Sequence, residues 1–323
     1  MTELQSVERL SRDLRAASAT MTDDEARYFV DYYYIMQEDR KRSKNQSLSM
    51  GQEPHKLLLW LGTQAETLEN QIKSALDVYT KAHVMGSWMR EIYGIGPVLS
   101  AGLLAHIDIK KAPTVGHIWR YAGLDPTQKW IGAKGAEAAV KELRAAGISR
   151  PEYMVELLAQ RIGIKPASLA KIAADISGSD KLTLANLQSA AAVRPWNEKL
   201  HTLCWKVGQS FMKFSGAEEC TYGKWYKQRE VYEQTRNDSG QNRELAFKLK
   251  ENFGKSTDAY GHLSEGRLPP AQIDARARRW AVKLFLSHMH NEWYRREFKE
   301  EPPKPYPIAH LGHAHYIPAD KAA

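Results

Sequence analysis

Gly94-Ile95-Gly96-Pro97 separates two runs in which apolar residues recur at intervals of three and four. Glycine enters the φ > 0 region without a Cβ clash, so the pair permits a tight bend between helices. Pro97 suits the first turn of the second helix, where a missing N–H has no carbonyl to meet. Upstream, Leu57, Leu61, Ala65, Leu68, Ile72, Leu76, Tyr79, Trp88, Met89 and Ile92 trace helical stripes, and downstream Leu99 to Ile107 makes a short apolar helix. No run alternates β-branched and polar residues over a strand's length, so the chain is expected to be all-α. Such a bend leaves the first N–H groups of the second helix facing outward, a ready site for phosphate. This is the helix-hairpin-helix pattern, which grips a nucleic-acid backbone without reading bases. Gly94, Ile95, Gly96 and Val98 are therefore candidate nucleic-acid contacts. The competing reading is a bend that only packs two helices together.

The charge balance points the same way. Over 323 residues, 46 Lys and Arg outnumber 38 Asp and Glu, a formal net charge of +8, which favours a polyanionic partner. A hydrophobic share of 43% excludes a disordered chain. Cys204 and Cys220 are too few for a disulfide or metal framework and fit a reducing interior. The start MTELQSVERL has no apolar signal core, and no run is long enough to span a bilayer. The expectation is a cytoplasmic protein of a bacterial or phage-infected cell, associated with the nucleoid. No Walker loop, HExxH motif or dinucleotide fingerprint occurs, so no cofactor is expected, with a divalent metal only if the chain is a recombinase.

The expected partition has five parts: a helical 1–55 with a basic loop, long helices and hairpin over 56–134, an insert over 135–193, a helical 194–300, and a Pro/His-rich tail over 301–323. Thr22-Asp23-Asp24-Glu25 is a capping box opening a helix that carries Tyr28, Phe29, Tyr32, Ile35 and Met36. Arg40-Lys41-Arg42-Ser43-Lys44, leading into a Ser/Asn/Gly-rich stretch, reads as a solvated basic loop. The stripe from Leu57 to Tyr93 suits either a hairpin within the chain or a seam between two copies of it. After the bend, Gly123 and Pro126 end a short helix, and Arg120, Lys129 and Lys134 would extend a phosphate contact.

Within the insert, Met154 to Ile172 resembles a helix-turn-helix. Ala159 lies four residues before the turn at Gly163, which lets two helices cross closely, and Leu158, Ile162, Ile164, Leu169 and Ile172 fall where each faces a shared core. The second helix would present Lys165, Ser168 and Lys171 to a major groove. Further on, Trp196 to Arg229 interleaves aromatic and basic residues, a pattern that serves base stacking or plain core packing. Arg236 to Gly266 reads as a polar connection with a turn at Asn237-Asp238-Ser239-Gly240. Arg276, Arg278, Arg279 and Lys283 make one face of a late helix basic, with Trp280, Leu284 and Met289 opposite; Arg276 and Arg279 are taken as backbone contacts. Among the late histidines, His310-x-x-His313-x-His315 has zinc-ligand chemistry without any cysteine, and no metal site is expected.

The run Tyr93 to Pro126, with its GIGP bend, LLAHI helix and WRYAGLDP segment, resembles the C-terminal transposase domain of the insertion-sequence 110/116/902 family, relatives of the Piv-type DNA invertases. The Leu57–Tyr93 helices look like that family's coiled-coil lead-in, Arg194 to His201 like a later family segment, and Ala277 to Tyr294 like its closing helix. The resemblance implies a RuvC-like N-terminal domain with four metal-binding carboxylates and a nucleophilic serine soon after the segment matching Gly123 to Pro126. Only 93 residues precede Gly94, and Thr127 to Gly135 contains no serine, so the catalytic half of the family is expected to be missing here.

The resulting expectation is an all-α DNA-binding protein of a mobile element or phage, holding the backbone through its hairpin without catalysis of its own. Its rivals are a recombinase completed by a partner subunit and a helical interaction protein with no nucleic-acid role. DNA is the expected partner, RNA is the second nucleic acid this chemistry admits, and another copy of the chain would join through the 57–93 helices.

Overall fold

The computed structural model describes residues 9–50, 53–305, 309–310 and 317–318. Among them are fifteen α-helices and no strand, so the chain is all-α. In order they are α1 (Arg12–Ala17), α2 (Asp23–Ser49), α3 (Lys56–Ala82), α4 (Gly86–Glu91), α5 (Pro97–His106), α6 (Val115–Tyr121), α7 (Gly132–Ala145), α8 (Pro151–Ile162), α9 (Pro166–Ser177), α10 (Leu184–Ala192), α11 (Glu198–Lys213), α12 (Thr221–Asp238), α13 (Arg243–Lys250), α14 (Asp258–Ser264) and α15 (Pro270–Phe298). They divide into two units, one made of residues 1–115 and 202–323, the other of Gly116–His201. The second unit takes in residues 135–193 of the expected insert together with 116–134 before it and 194–201 after it.

In the first unit, Thr22 and Glu25 form the capping box that starts α2, with the Glu25 N–H donating to Thr22 Oγ1 and the Thr22 N–H to Glu25 Oε2. The expected basic loop is instead the last part of this 27-residue helix. Its cations have local and cross-helix partners: Lys41 pairs with Glu38 at 2.9 Å, and Arg40 Nε donates to Glu69 Oε2 of α3 at 2.5 Å. The first is an i,i+3 pair that favours helix locally, and the second ties α2 to α3. Tyr79 donates to Asp23 at 2.8 Å and Gln37 to Glu69 at 3.2 Å, so α2 and α3 run antiparallel.

The stripe on α3 is satisfied within the chain. Ala65, Ile72, Leu76 and Tyr79 are buried in the layer that α3 makes with α2 and α5. Leu57 and Leu61 stay about half exposed, and Leu48 near the end of α2 is 73% exposed. Leu48, Leu57 and Leu61 thus leave apolar surface at the far end of the hairpin, and Tyr28 and Ile35 leave more along α2.

Helix α15 is the central rod of this unit rather than an amphipathic cover. From Ala281 onward its burial wraps most of the circumference, taking in Phe285, Leu286, His288, Met289, His290 and Trp293. Phe285, Phe211 and Tyr222 meet edge-on or stacked, with ring centres 5.0–5.6 Å apart. Each such ring, removed from water, stabilises the unit by about 1.5–3 kcal/mol. The polar connection expected over 236–266 folds into α13 and α14 around Ala246, Leu263, Leu268 and Ile273. Asn237 is no turn residue: it is buried, donating to the Leu268 carbonyl at 3.0 Å and accepting from the Leu268 N–H at 2.8 Å.

The second unit gathers α7 to α10 around one core. Ala136, Ala139, Val140 and Leu143 of α7 meet Met154, Leu158, Ala159 and Ile162 of α8, Leu169 and Ala173 of α9, and Leu187, Ala190 and Ala191 of α10. Thr183 and Asn186 cap α10 reciprocally.

Candidate nucleic-acid interface

The bend is built on the end of α4. The Ile95 N–H donates to the Ile92 carbonyl at 3.0 Å, closing a turn with Gly94 at φ 89°. That φ is left-handed, and an added Cβ would lie 3.0 Å from Ser210 Oγ, so only glycine fits here without strain. Ser210, on α11, donates to the Gly94 carbonyl at 2.6 Å, and the ring of Tyr93 lies edge-on to Phe214 at 5.5 Å. The Lys213 ammonium lies 5.4 Å from the centre of the same Phe214 ring. The bend is therefore anchored to α11 by residues more than a hundred positions away.

Gly96 differs in kind. It is exposed, its φ of −82° and ψ of 176° are open to any residue, and a Cβ there would meet nothing within 4 Å. It caps α5: the Ser100 N–H donates to its carbonyl at 3.0 Å, which makes Ser100 the first donor of the helical ladder. The N–H groups of Val98 and Leu99 precede that ladder and have no carbonyl in it. The side chains of Ile95 and Val98 are in the core, 4% and 7% exposed, so any ligand contact at these two expected positions is through the main chain.

The other expected contacts divide by what holds them. Arg120 reaches Asp125 at 3.2 Å. Lys129, Lys134, Lys165 and Lys171 are exposed and make no ion pair among the described residues, and Ser168 is exposed on α9. All six belong to the second unit. In the first unit, Arg276 is engaged internally, donating to Asn242 Oδ1 at 2.9 Å and lying 3.5 Å from buried Glu233. Arg278 pairs with Asp274 at 2.5 Å. Two of the four cations read as that basic face, Arg276 and Arg278, thus have carboxylate partners on α12 and on α15 itself. Arg279 remains on the solvent side, its pKa lowered by desolvation and by the like charges of Arg276 and Arg278.

Gly123 ends α6 at φ 67°, with an added Cβ only 2.7 Å from Trp196 Cγ, and Trp196 in turn meets Trp130 and His201. Asn197 fastens the same corner, its N–H donating to the Tyr121 carbonyl at 2.9 Å and its side chain to the Tyr121 hydroxyl at 2.9 Å. The aromatic at Trp196 is therefore a packing residue under the turn. The Thr127 hydroxyl donates to Asp125 at 2.8 Å in a local turn.

Of the late histidines, His288 Nε2 donates to the Ile317 carbonyl and its Nδ1 accepts from Tyr222, both at 2.8 Å, while His290 Nε2 donates to the Ala112 carbonyl at 2.8 Å. Both are core residues. His313 and His315 lie outside the described residues. Among those described, no group of three or more His, Cys, Asp or Glu is arranged to hold a metal ion. The four-carboxylate site that the family resemblance implies finds no fit in them, and no step is routed through such a metal. No helix among them is long and apolar enough to cross a membrane.

Residues 87–144, from α4 through the bend and α5 to the end of α7, match the family described as Transposase IS116/IS110/IS902. No curated protein and no solved structure matches the chain.

Proposed function

We propose, taking as premise that the 87–144 segment relates this chain to the transposases of mobile elements, that it binds DNA by presenting the start of α5 to a phosphate of the duplex backbone. The observation that carries this reading is Gly96. The fold gives it neither a strained backbone nor a close neighbour, yet it sits exposed where the unladdered amides of Val98 and Leu99 begin. A residue with no side chain lets a phosphate approach the main chain closely, as in other helix-start anion sites. Lys213, held beside Phe214 at the foot of the bend, adds positive charge to the same end of the unit.

The reading also holds that the chain performs no strand transfer by itself, because Thr127 to Gly135 has no serine where the family resemblance places the nucleophile. A test incubates the full chain with supercoiled DNA and Mg²⁺. Intact supercoils are expected, and a covalent protein–DNA adduct would instead establish the recombinase alternative. Self-association is assigned to the hairpin end bearing Leu48, Leu57 and Leu61, since Ala65, Ile72, Leu76 and Tyr79 are buried with α2 and α5 and Trp88 stacks on Phe285. Competition of duplex DNA against RNA of equal length decides between the two nucleic acids, with duplex DNA expected to win.

A further inference from the structure

We infer that the second unit carries its own duplex-DNA reading surface, formed by α9 and the turn before it, independent of the hairpin grip. The turn between α8 and α9 is three residues long. Gly163 takes the left-handed conformation, its N–H donating to the Gln160 carbonyl at 3.3 Å, and the Ile164 N–H donates to the Ala159 carbonyl at 3.0 Å. This double closure stops α8 sharply, and Pro166 starts α9 at once. Ala159, fully buried, leaves room for the crossing, while Leu169 and Ala173 hold α9 to the common core. The opposite side of α9 is exposed at Ser168, Lys171 and Asp175.

Ser168 and Lys171 are exposed on that side, and Lys165, the residue that caps α9, is exposed at its start. Lys129 joins them: its Cδ lies 3.9 Å from where a Gly163 Cβ would sit, beside the turn. Among the described residues none of the three lysines has a carboxylate partner, whereas Arg161 on α8 is paired with Glu142 at 2.7 Å and Arg194 is paired with Glu198. The fold therefore does not need these charges. The imbalance is also local: residues 116–201 hold twelve Lys and Arg against eight Asp and Glu, a net of +4, half the charge of the chain in about a quarter of its length.

The ligand follows from geometry. A twelve-residue helix is about 18 Å long and, with its side chains, about as wide as the B-form major groove. The deep, narrow major groove of an A-form duplex does not admit it. Small Ala167 and Ser168 at the start of α9 permit close approach to base edges, with Lys129, Lys165 and Lys171 reaching flanking phosphates or guanine edges. Asp175, exposed further along, marks the end from which phosphate is repelled.

The experiment selects duplexes from a random library with the full chain, then measures affinity against salt for the wild type, the double variant Lys165→Glu/Lys171→Glu and the control Lys141→Glu on α7. The wild type is expected to enrich a shared motif. The double variant is expected to lose that enrichment, bind the motif at least tenfold more weakly and show a log–log salt slope smaller by about 2. Thermal unfolding of all three is expected to coincide, since no ion pair is broken. Equal weakening by the control, or unaltered enrichment in the double variant, would overturn the inference. Gly96→Asp separates the two surfaces: it is expected to weaken all duplexes alike while leaving the enriched motif unchanged. Better competition by A-form RNA than by duplex DNA also counts against α9.

Discussion

Three glycines in the matched segment look alike in sequence and do three different things. Gly94 is required by its own backbone, Gly123 by its backbone and by the indole of Trp196 together, and Gly96 by nothing inside the protein. Gly123→Ala is expected to cost about 2–4 kcal/mol, because a left-handed φ and a 2.7 Å contact with a ring wedged against Trp130 leave no cheap relaxation. Chemical denaturation measures it. Ser210→Ala removes the donor to the Gly94 carbonyl and is expected to cost about 1 kcal/mol. Gly96→Asp is the informative contrast. Aspartate is among the best N-cap residues and meets no neighbour there, so stability is expected to hold within about 1 kcal/mol. Its carboxylate, however, occupies the place assigned to phosphate, and duplex affinity is expected to fall at least tenfold.

At the level of elements, what could be read in advance followed local chemistry. The Thr22–Glu25 box, the Pro97 start of α5 and the Gly163 turn are each set by residues within four positions, and each stands where local rules put it. What escaped was settled by distant partners. Arg40 looked like a loop cation because Glu69, 29 residues on, was invisible as its mate. Arg276 looked free because Glu233 and Asn242 sit on other elements. Nothing local marked Ser210 as the residue that holds Gly94, since the two are 116 positions apart. The Arg40–Glu69 brace carries its own pH dependence. Burial raises the Glu69 carboxyl, but hydrogen bonds from Arg40 and Gln37 outweigh it and leave the group below the ordinary carboxylate range. The stabilisation is thus present above that range and is lost as pH falls through the depressed value. Glu69→Gln is expected to cost about 1–3 kcal/mol near neutrality, with the gap to wild type closing below about pH 4 in thermal melts.

On the scale of the whole molecule, the protein is a helical scaffold braced in part by ion pairs between its helices. The internal ion network of α12 and α15 and the brace between α2 and α3 hold the first unit together. The start of α5 and the lysines around α9 have no such internal task. Affinity for duplex DNA is accordingly expected to fall linearly on a log–log scale with salt, by about 0.9 per phosphate neutralised, for specific and random sequences alike in the hairpin contribution. The most direct measurement follows the amide resonances of the chain labelled with ¹⁵N-glycine while a short duplex is added. The Gly96 resonance is expected to move with saturation, while that of Gly102, buried within α5, stays in place. A saturated complex in which Gly96 has not moved would contradict the claim that the start of α5 is where this protein meets DNA.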